Sequence, residues 1–349
     1  MNYKRILVSQ SREGDILAYD VYDRNGLALI VTKDTVLNDY IKERLISLGI
    51  DNVYIYKQEK SKKSSRNPYE DFTNTYTSTL LLSKKIFQDL IAGKPLDLQL
   101  VSSITSQIYT NINENNKIFK CLSDIRSTDE YTYIHSVNVA FYSMLIAKWL
   151  KLSDNEINKA IQSGLLHDVG KIKIPHEILN KKGALTKNEY ELIKNHTLLG
   201  YEIVESTNGF DRDIKNAVLL HHERMDGSGY PFNYRPNRLN LYSRIVAVAD
   251  VFDAMTSERV YKGRCTPFDA FEMFQTDGVS MFDTKILNVF LSNLTNYLVG
   301  SNVLLSNGDV GEIVFIPFQS LSCPIVKIPA GYLDFSKESN VKISNMICV

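Results

Sequence analysis

His221-His222-Glu223-Arg224-Met225-Asp226-Gly227-Ser228-Gly229-Tyr230-Pro231 places two adjacent imidazoles directly before a glycine-rich turn. Upstream, His167-Asp168-Val169-Gly170-Lys171 closes the apolar run Ile161-Gln162-Ser163-Gly164-Leu165-Leu166, so two metal-competent side chains leave the end of a buried helix together. Asp250 sits in Ile245-Val246-Ala247-Val248-Ala249-Asp250-Val251-Phe252, a helical run apolar on nearly every side. Its carboxylate is therefore expected to be buried, and a buried carboxylate needs a cation or several donors. Five of the six histidines, His135, His167, His196, His221 and His222, interleave with Asp168 and Asp250, and only His176 is left over. A single histidine reads as a core imidazole satisfied by a backbone carbonyl. Five beside two acids point to a shared metal site. Oxygen and imidazole donors without thiolate favour Fe or Mn over structural Zn, and a carboxylate able to bridge suggests two metals about 3.5–4 Å apart.

Most of the chain around these residues has helical periodicity, at 137–150, 155–166, 187–205, 213–222, 242–257 and 267–275. The expected organisation is a small α+β N-terminal module (1–57), a polar linker (58–71), a helical connector (72–117), an all-helical domain (118–297) and a small β-rich C-terminal cap (298–349). Within the first module, 17–21 and 27–31 alternate apolar and polar about the turn Asp23-Arg24-Asn25-Gly26 and predict a hairpin. A helix over 37–48 and a strand at 53–56 follow. In the cap, 302–305 and 311–316 flank Ser306-Asn307-Gly308-Asp309 as a second hairpin, followed by a strand at 324–328. The Lys/Ser-rich linker could be read as a nucleic-acid patch, but the interspersed Glu59, Glu70 and Asp71, with only Tyr69 for stacking, favour a solvated connection.

Forty basic and forty acidic side chains cancel, so no global field draws the chain to nucleic acid or an anionic membrane. No segment approaches the roughly 18 apolar residues of a membrane span, and the N-terminus lacks a signal-peptide core, so a cytoplasmic protein is expected. Cys121, Cys265, Cys323 and Cys348 lack Cys-x-x-Cys spacing and read as reduced structural thiols.

The motif His167-Asp168-x-Gly170-Lys171-x-x-x-Pro175, with His221-His222-Glu223-x-x-Asp226-Gly227-x-Gly229-Tyr230-Pro231, resembles the HD-GYP subgroup of the HD phosphohydrolase superfamily. The ordered spacing of His135, His196 and Asp250 extends the resemblance over roughly 120–295. It implies a helical domain that hydrolyses cyclic di-GMP to pGpG, with further cleavage to GMP open, through a hydroxide bridging two metals, Fe or Mn. The implied ligands are His135, His167, Asp168, His196, His221, His222 and Asp250, with Asp168 bridging. Members with a third metal have a glutamate four residues before the first histidine, where this chain has Tyr131, so two metals are expected and Glu130 is a poor substitute. The resemblance also puts Lys171 near the scissile phosphate, Asp129 at the edge of the site, Gly229 and Tyr230 at a guanine, and Arg259 and Lys262 on phosphate or base. A solvated helix end is the competing reading for Arg259 and Lys262. Glu223 and Asp226 are expected to hold the loop rather than a metal.

Two other functions stay open on sequence alone. A related dinucleotide, 3′,3′-cyclic GMP-AMP, would keep the chemistry and change the substrate. A cyclic-dinucleotide sensor or scaffold would bind without turnover and pass its signal through the terminal modules, to protein partners or by self-association; intact ligands and Lys171 favour catalysis.

Overall fold

The computed structural model describes residues 3–57, 68–111, 131–181, 183–257, 265–337 and 340–347. The chain is mainly helical, with a small N-terminal α+β module and a C-terminal five-stranded sheet. It divides into two compact units, one drawn from 1–65, 266–272 and 291–349, the other from 66–265 and 273–290.

In the first unit, β1 (Tyr3–Leu7), β2 (Val21–Tyr22), β3 (Leu29–Val31), α1 (Asp39–Ser47) and β4 (Asn52–Tyr56) come from the N-terminal segment. β1 pairs antiparallel with β4, and β2 with β3. The expected hairpin therefore forms, with shorter strands than the alternation predicts. Asp23 holds its turn by accepting the N–H groups of Leu27 (2.7 Å) and Ala28 (3.1 Å), while Gly26 takes the left-handed conformation its position needs (φ 70°). The C-terminal strands β5 (Asn302–Leu305), β6 (Val310–Phe315), β7 (Ile325–Ile328), β8 (Gly331–Asp334) and β9 (Ile343–Ile347) form one antiparallel sheet in the order β8-β7-β6-β5-β9. The two ends of the chain share one core: Leu17, Leu37, Ile41, Leu45, Val53 and Ile55 pack with Val314, Phe315 and Ile325. Asn38 ties them together, capping α1 by accepting from Ile41 N and donating to Val314 O at 2.8 Å.

The second unit holds α2 (Pro68–Ile91), α3 (Leu98–Thr110), α4 (Tyr131–Trp149), α5 (Asp154–Leu166), α6 (His176–Leu179), α7 (Lys187–Lys194), α8 (His196–Glu205), α9 (Arg212–Leu220) and α10 (Leu241–Thr256). Three further helices, α11 (Pro267–Gln275), α12 (Gly278–Met281) and α13 (Thr284–Leu298), lie between α10 and β5 in the chain. α4 is the centre of the second unit: Val137, Val139, Ala140, Phe141, Met144, Leu145, Ile146 and Ala147 are fully buried, so it carries apolar residues on every side. Side-chain oxygens start two other helices of this unit, Asp211 capping α9 and Asn240 capping α10.

The continuous helix expected over 187–205 is two helices. Asn195 separates them, because the His196 ring takes the Ile193 carbonyl (2.7 Å) and the Thr197 hydroxyl takes that of Lys194 (3.1 Å). Side chains thus satisfy acceptors that the next helical turn would otherwise use.

Candidate metal centre

Four short stretches of the second unit converge on one buried cluster: His135 on α4, His167-Asp168 at the end of α5, His196 at the start of α8, and His221-His222 just past α9, closed by Asp250 on α10. His167, His196 and His221 share one device. Each ring aligns its Nδ1 with the carbonyl three residues earlier, Gly164 (2.7 Å), Ile193 (2.7 Å) and Val218 (2.8 Å). With Nδ1 donating, Nε2 keeps its lone pair and faces the cluster, the arrangement of a metal-binding imidazole.

The two carboxylates lie among these nitrogens. Asp168 Oδ1 is 3.3 Å from His196 Nε2, while Oδ2 is 3.3 Å from His167 Nε2 and 3.6 Å from His135 Nε2. Asp250 Oδ1 is 3.0 Å from His135 Nε2, and its Oδ2 is 3.9 Å from His222 Nδ1. The donors fall into two groups, Asp168 with His196, His221 and His222, and His135 with His167 and Asp250; within each group all donor atoms lie within 4.8 Å of one another. Asp168, with an oxygen toward each group, is suited to bridge them.

The local chemistry fits divalent cations. His167 Nε2 and Asp168 Oδ1 are buried with no hydrogen-bond partner, a costly state that a cation would relieve. Burial pushes the His196 imidazole down to about 4, and His221 and His222 well below their usual range, so all three present neutral rings at pH 7. Burial alone would lower His135 as well, but its bonds to Asp250 and Asp253 outweigh it and raise the group to about 9. Burial alone would raise Asp168, yet His167 and Lys171 hold its carboxyl well below the usual carboxylate range. The donor set carries no thiolate, which suits hard or borderline ions.

Lys171 Nζ lies 2.5 Å from Asp168 Oδ2 and retains partial exposure. Tyr230 stacks on His222, with ring centroids 4.6 Å apart at 25°. Its loop is fixed by Glu223, whose buried carboxylate accepts the N–H groups of Phe232 (2.7 Å) and Tyr234 (2.9 Å). Asp226 accepts both the backbone N–H and the hydroxyl of Ser228. Gly229 passes so close to the His222–Arg224 backbone that any Cβ would collide with it. Asp129, Glu130, Arg259, Lys262 and the side chain of Tyr131 lie outside the described residues.

Residues 120–286 match the HD domain family. That stretch, just under half of the chain, is similar to HD domains. It is 33% identical to a Pseudomonas aeruginosa protein named cyclic di-GMP phosphodiesterase, over 75% of this chain and 62% of that one. A Vibrio cholerae protein named 3′3′-cGAMP-specific phosphodiesterase 1 is also 33% identical, over 50% of this chain and 40% of its own length. The chain thus spans about three fifths or less of these relatives. Among solved structures, an HD-GYP protein of Bdellovibrio bacteriovorus shares the fold at a TM-score of 0.55 and 17% identity, over 84% of this chain and 99% of that one. HD-domain phosphohydrolases bind divalent metals, in keeping with the buried histidine and aspartate groups.

The same stretch also contains polar residues that motif reading passed over. Asp253, fully buried, accepts from His135 Nδ1 at 2.7 Å and from Asn138 Nδ2 at 3.0 Å. Helical spacing could have revealed both, since Asp253 follows Asp250 by three positions and Asn138 follows His135 by three, on shared helix faces. No helix among the described residues of the chain is long and apolar enough to cross a membrane.

Proposed function

We propose that this chain is a metal-dependent phosphodiesterase that hydrolyses cyclic di-GMP to pGpG, with onward cleavage to GMP, using two divalent ions, Fe or Mn. The observation that carries this reading is the buried cluster of five histidines and two aspartates, in which His167 Nε2 and Asp168 Oδ1 have no hydrogen-bond partner. The names of the relatives supply the substrate class. His135, His167 and Asp250 would hold one ion and His196, His221 and His222 the other, with Asp168 between them. Tyr131 stands where a third-metal glutamate would be, so no third ion is expected.

Ions bound there supply Lewis acidity and an activated water for attack on phosphorus. The chain's own residues do the rest. Neutral His196, His221 and His222 need lose no proton to offer a lone pair. Lys171, beside Asp168, puts positive charge where the equatorial phosphoryl oxygens gain negative charge, a contribution of about 3 kcal/mol by analogy with a single oxyanion donor. Tyr230, stacked on His222, would offer a planar face for a guanine, with the Gly229 backbone at the base edge. Asp129 at the edge of the site, with Arg259 and Lys262 on phosphate or base, would complete the substrate contacts.

A second substrate has a specific observation behind it, the match to a protein named for 3′3′-cGAMP. The test is anaerobic purification, a count of Fe and Mn, and mass-detected chromatography of both dinucleotides, with Asp168→Ala as the control. About two metals with pGpG or GMP from cyclic di-GMP is the expected result. Faster loss of cyclic GMP-AMP would move the substrate. Metal and dinucleotide binding without turnover would favour the sensor reading, and absence of all three would overturn the site.

A further inference from the structure

A chain of buried polar groups runs from outside the HD match to His135. The Tyr76 hydroxyl on α2 donates to Asn138 Oδ1 at 2.7 Å, Asn138 Nδ2 donates to Asp253 Oδ1 at 3.0 Å, and Asp253 Oδ2 takes the Nδ1–H of His135 at 2.7 Å. Tyr76, Asn138 and Asp253 are fully buried and His135 nearly so. α4 and α10 are cross-braced here: His135 meets Asp250 at 3.0 Å and Asn138 meets Asp253 at 3.0 Å, with the His135–Asp253 bond running diagonally between the two rungs.

The order of the bonds fixes every group. Asp253 can only accept, so it holds His135 with Nδ1 protonated and Nε2 turned to Asp168 and Asp250. Asn138 meets Asp253 with its NH2 only while its carbonyl oxygen points the other way, and the Tyr76 hydroxyl is the donor aimed at that oxygen. Removing the hydroxyl leaves a buried acceptor unmet and releases the amide that steadies Asp253. Tyr76 lies 59 residues before His135 and precedes the family match, which begins at 120.

We propose that Tyr76 is a positioning residue for the metal centre, acting on His135 through Asn138 and Asp253. The inference rests on reading His135 as a metal ligand. Its test is Co2+ loading of the full chain, followed by chelator competition and the visible d–d bands, for wild type, Tyr76→Phe, Asp253→Asn and the double variant. Ile104→Val in the core of α3 serves as a destabilised control remote from the chain of bonds. Asp253→Asn is expected to weaken Co2+ binding roughly 10- to 100-fold, the range for a direct partner of a ligand, and Tyr76→Phe about three- to tenfold. Both should alter the visible bands, the double variant should match Asp253→Asn alone, and Ile104→Val should leave affinity and bands unchanged. If Asp253→Asn does not fold, Asn138→Ala replaces it as the second variant. Tyr76→Phe with wild-type affinity and spectrum, a like change in Ile104→Val, or additive losses in the double variant would overturn the inference alone. A wild-type chain that bound no Co2+ would overturn the metal-centre reading with it.

Discussion

Glu223 offers a direct test of how the loop carrying Tyr230 is held. Its carboxylate is 2% exposed and accepts two backbone N–H groups, Phe232 at 2.7 Å and Tyr234 at 2.9 Å. Glu223→Gln keeps the shape but leaves only one oxygen, so one N–H faces an NH2 group. A hydrogen bond to a charged acceptor contributes about 1.5–3 kcal/mol; taking about 2 kcal/mol, the ratio of docked to undocked loop falls roughly thirtyfold. Since the same loop bears Tyr230 against His222, the expected result is a higher KM for the cyclic dinucleotide, by up to that factor. Bound metal should be unchanged, because Glu223 donates to neither group. Steady-state kinetics with metal analysis of the same preparation decides it. A Glu223→Gln protein with wild-type KM, or one that has lost its metal, would refute the reasoning.

Asp168→Ala should remove metal and turnover together, whereas Lys171→Ala should keep the metal and lower kcat on the order of 100-fold, both read by metal analysis beside a turnover assay. Gly170→Ala would drive a Cβ into the His196 carbonyl and the Gly200 backbone. Overpacking of that kind costs about 1–3 kcal/mol, so a Tm fall on the order of 5 °C is expected by calorimetry, with weaker metal binding because His196 must shift. The metal-free protein should be most stable near pH 6.5, as chelator-treated denaturant titrations would show. His196, His221 and His222 are lowered in the folded state, His196 to about 4, so the unfolded chain takes up protons first as pH falls below about 6.5 and stability drops. His135, raised to about 9, behaves oppositely: its contribution is complete below about 6.5 and is lost as pH rises toward 9. Each shifted histidine should contribute a slope on the order of 1 kcal/mol per pH unit within its window, and stability unchanged from pH 5 to 9 would contradict the assignments.

The seven-residue cluster was legible because chemistry restricts it. Buried acids and imidazoles are rare enough that five histidines interleaved with Asp168 and Asp250 point to one place, and the helices bearing them follow from apolar periodicity. The break at Asn195 was not legible. No glycine or proline marks it, and what interrupts the helix is the competition of the His196 and Thr197 side chains for backbone carbonyls. β1, β8 and β9 were also missed. β8 and β9 are the outer strands of their sheet, and runs such as Ser344-Asn345 lack the apolar alternation that identifies a half-buried strand. The core shared by Leu17, Leu37 and Ile55 with Val314 and Ile325 joins residues some 300 positions apart, beyond the reach of any local pattern.

The helix ends explain why the cluster can be built from such scattered residues. His167 and His221 directly follow the last residues of α5 and α9, and His196 opens α8 just after α7 ends. At each end the carbonyls of the last turn lack intrahelical partners. An imidazole three residues on satisfies one of them through Nδ1, which relieves the helix terminus and fixes the ring with Nε2 turned inward. One bond thus serves both folding and the site. His135 lies within α4, where the carbonyls are already used by the helix, and it needs a different orienting partner. Asp253 fills that role from α10, joining this histidine to a side-chain network that reaches back to Tyr76.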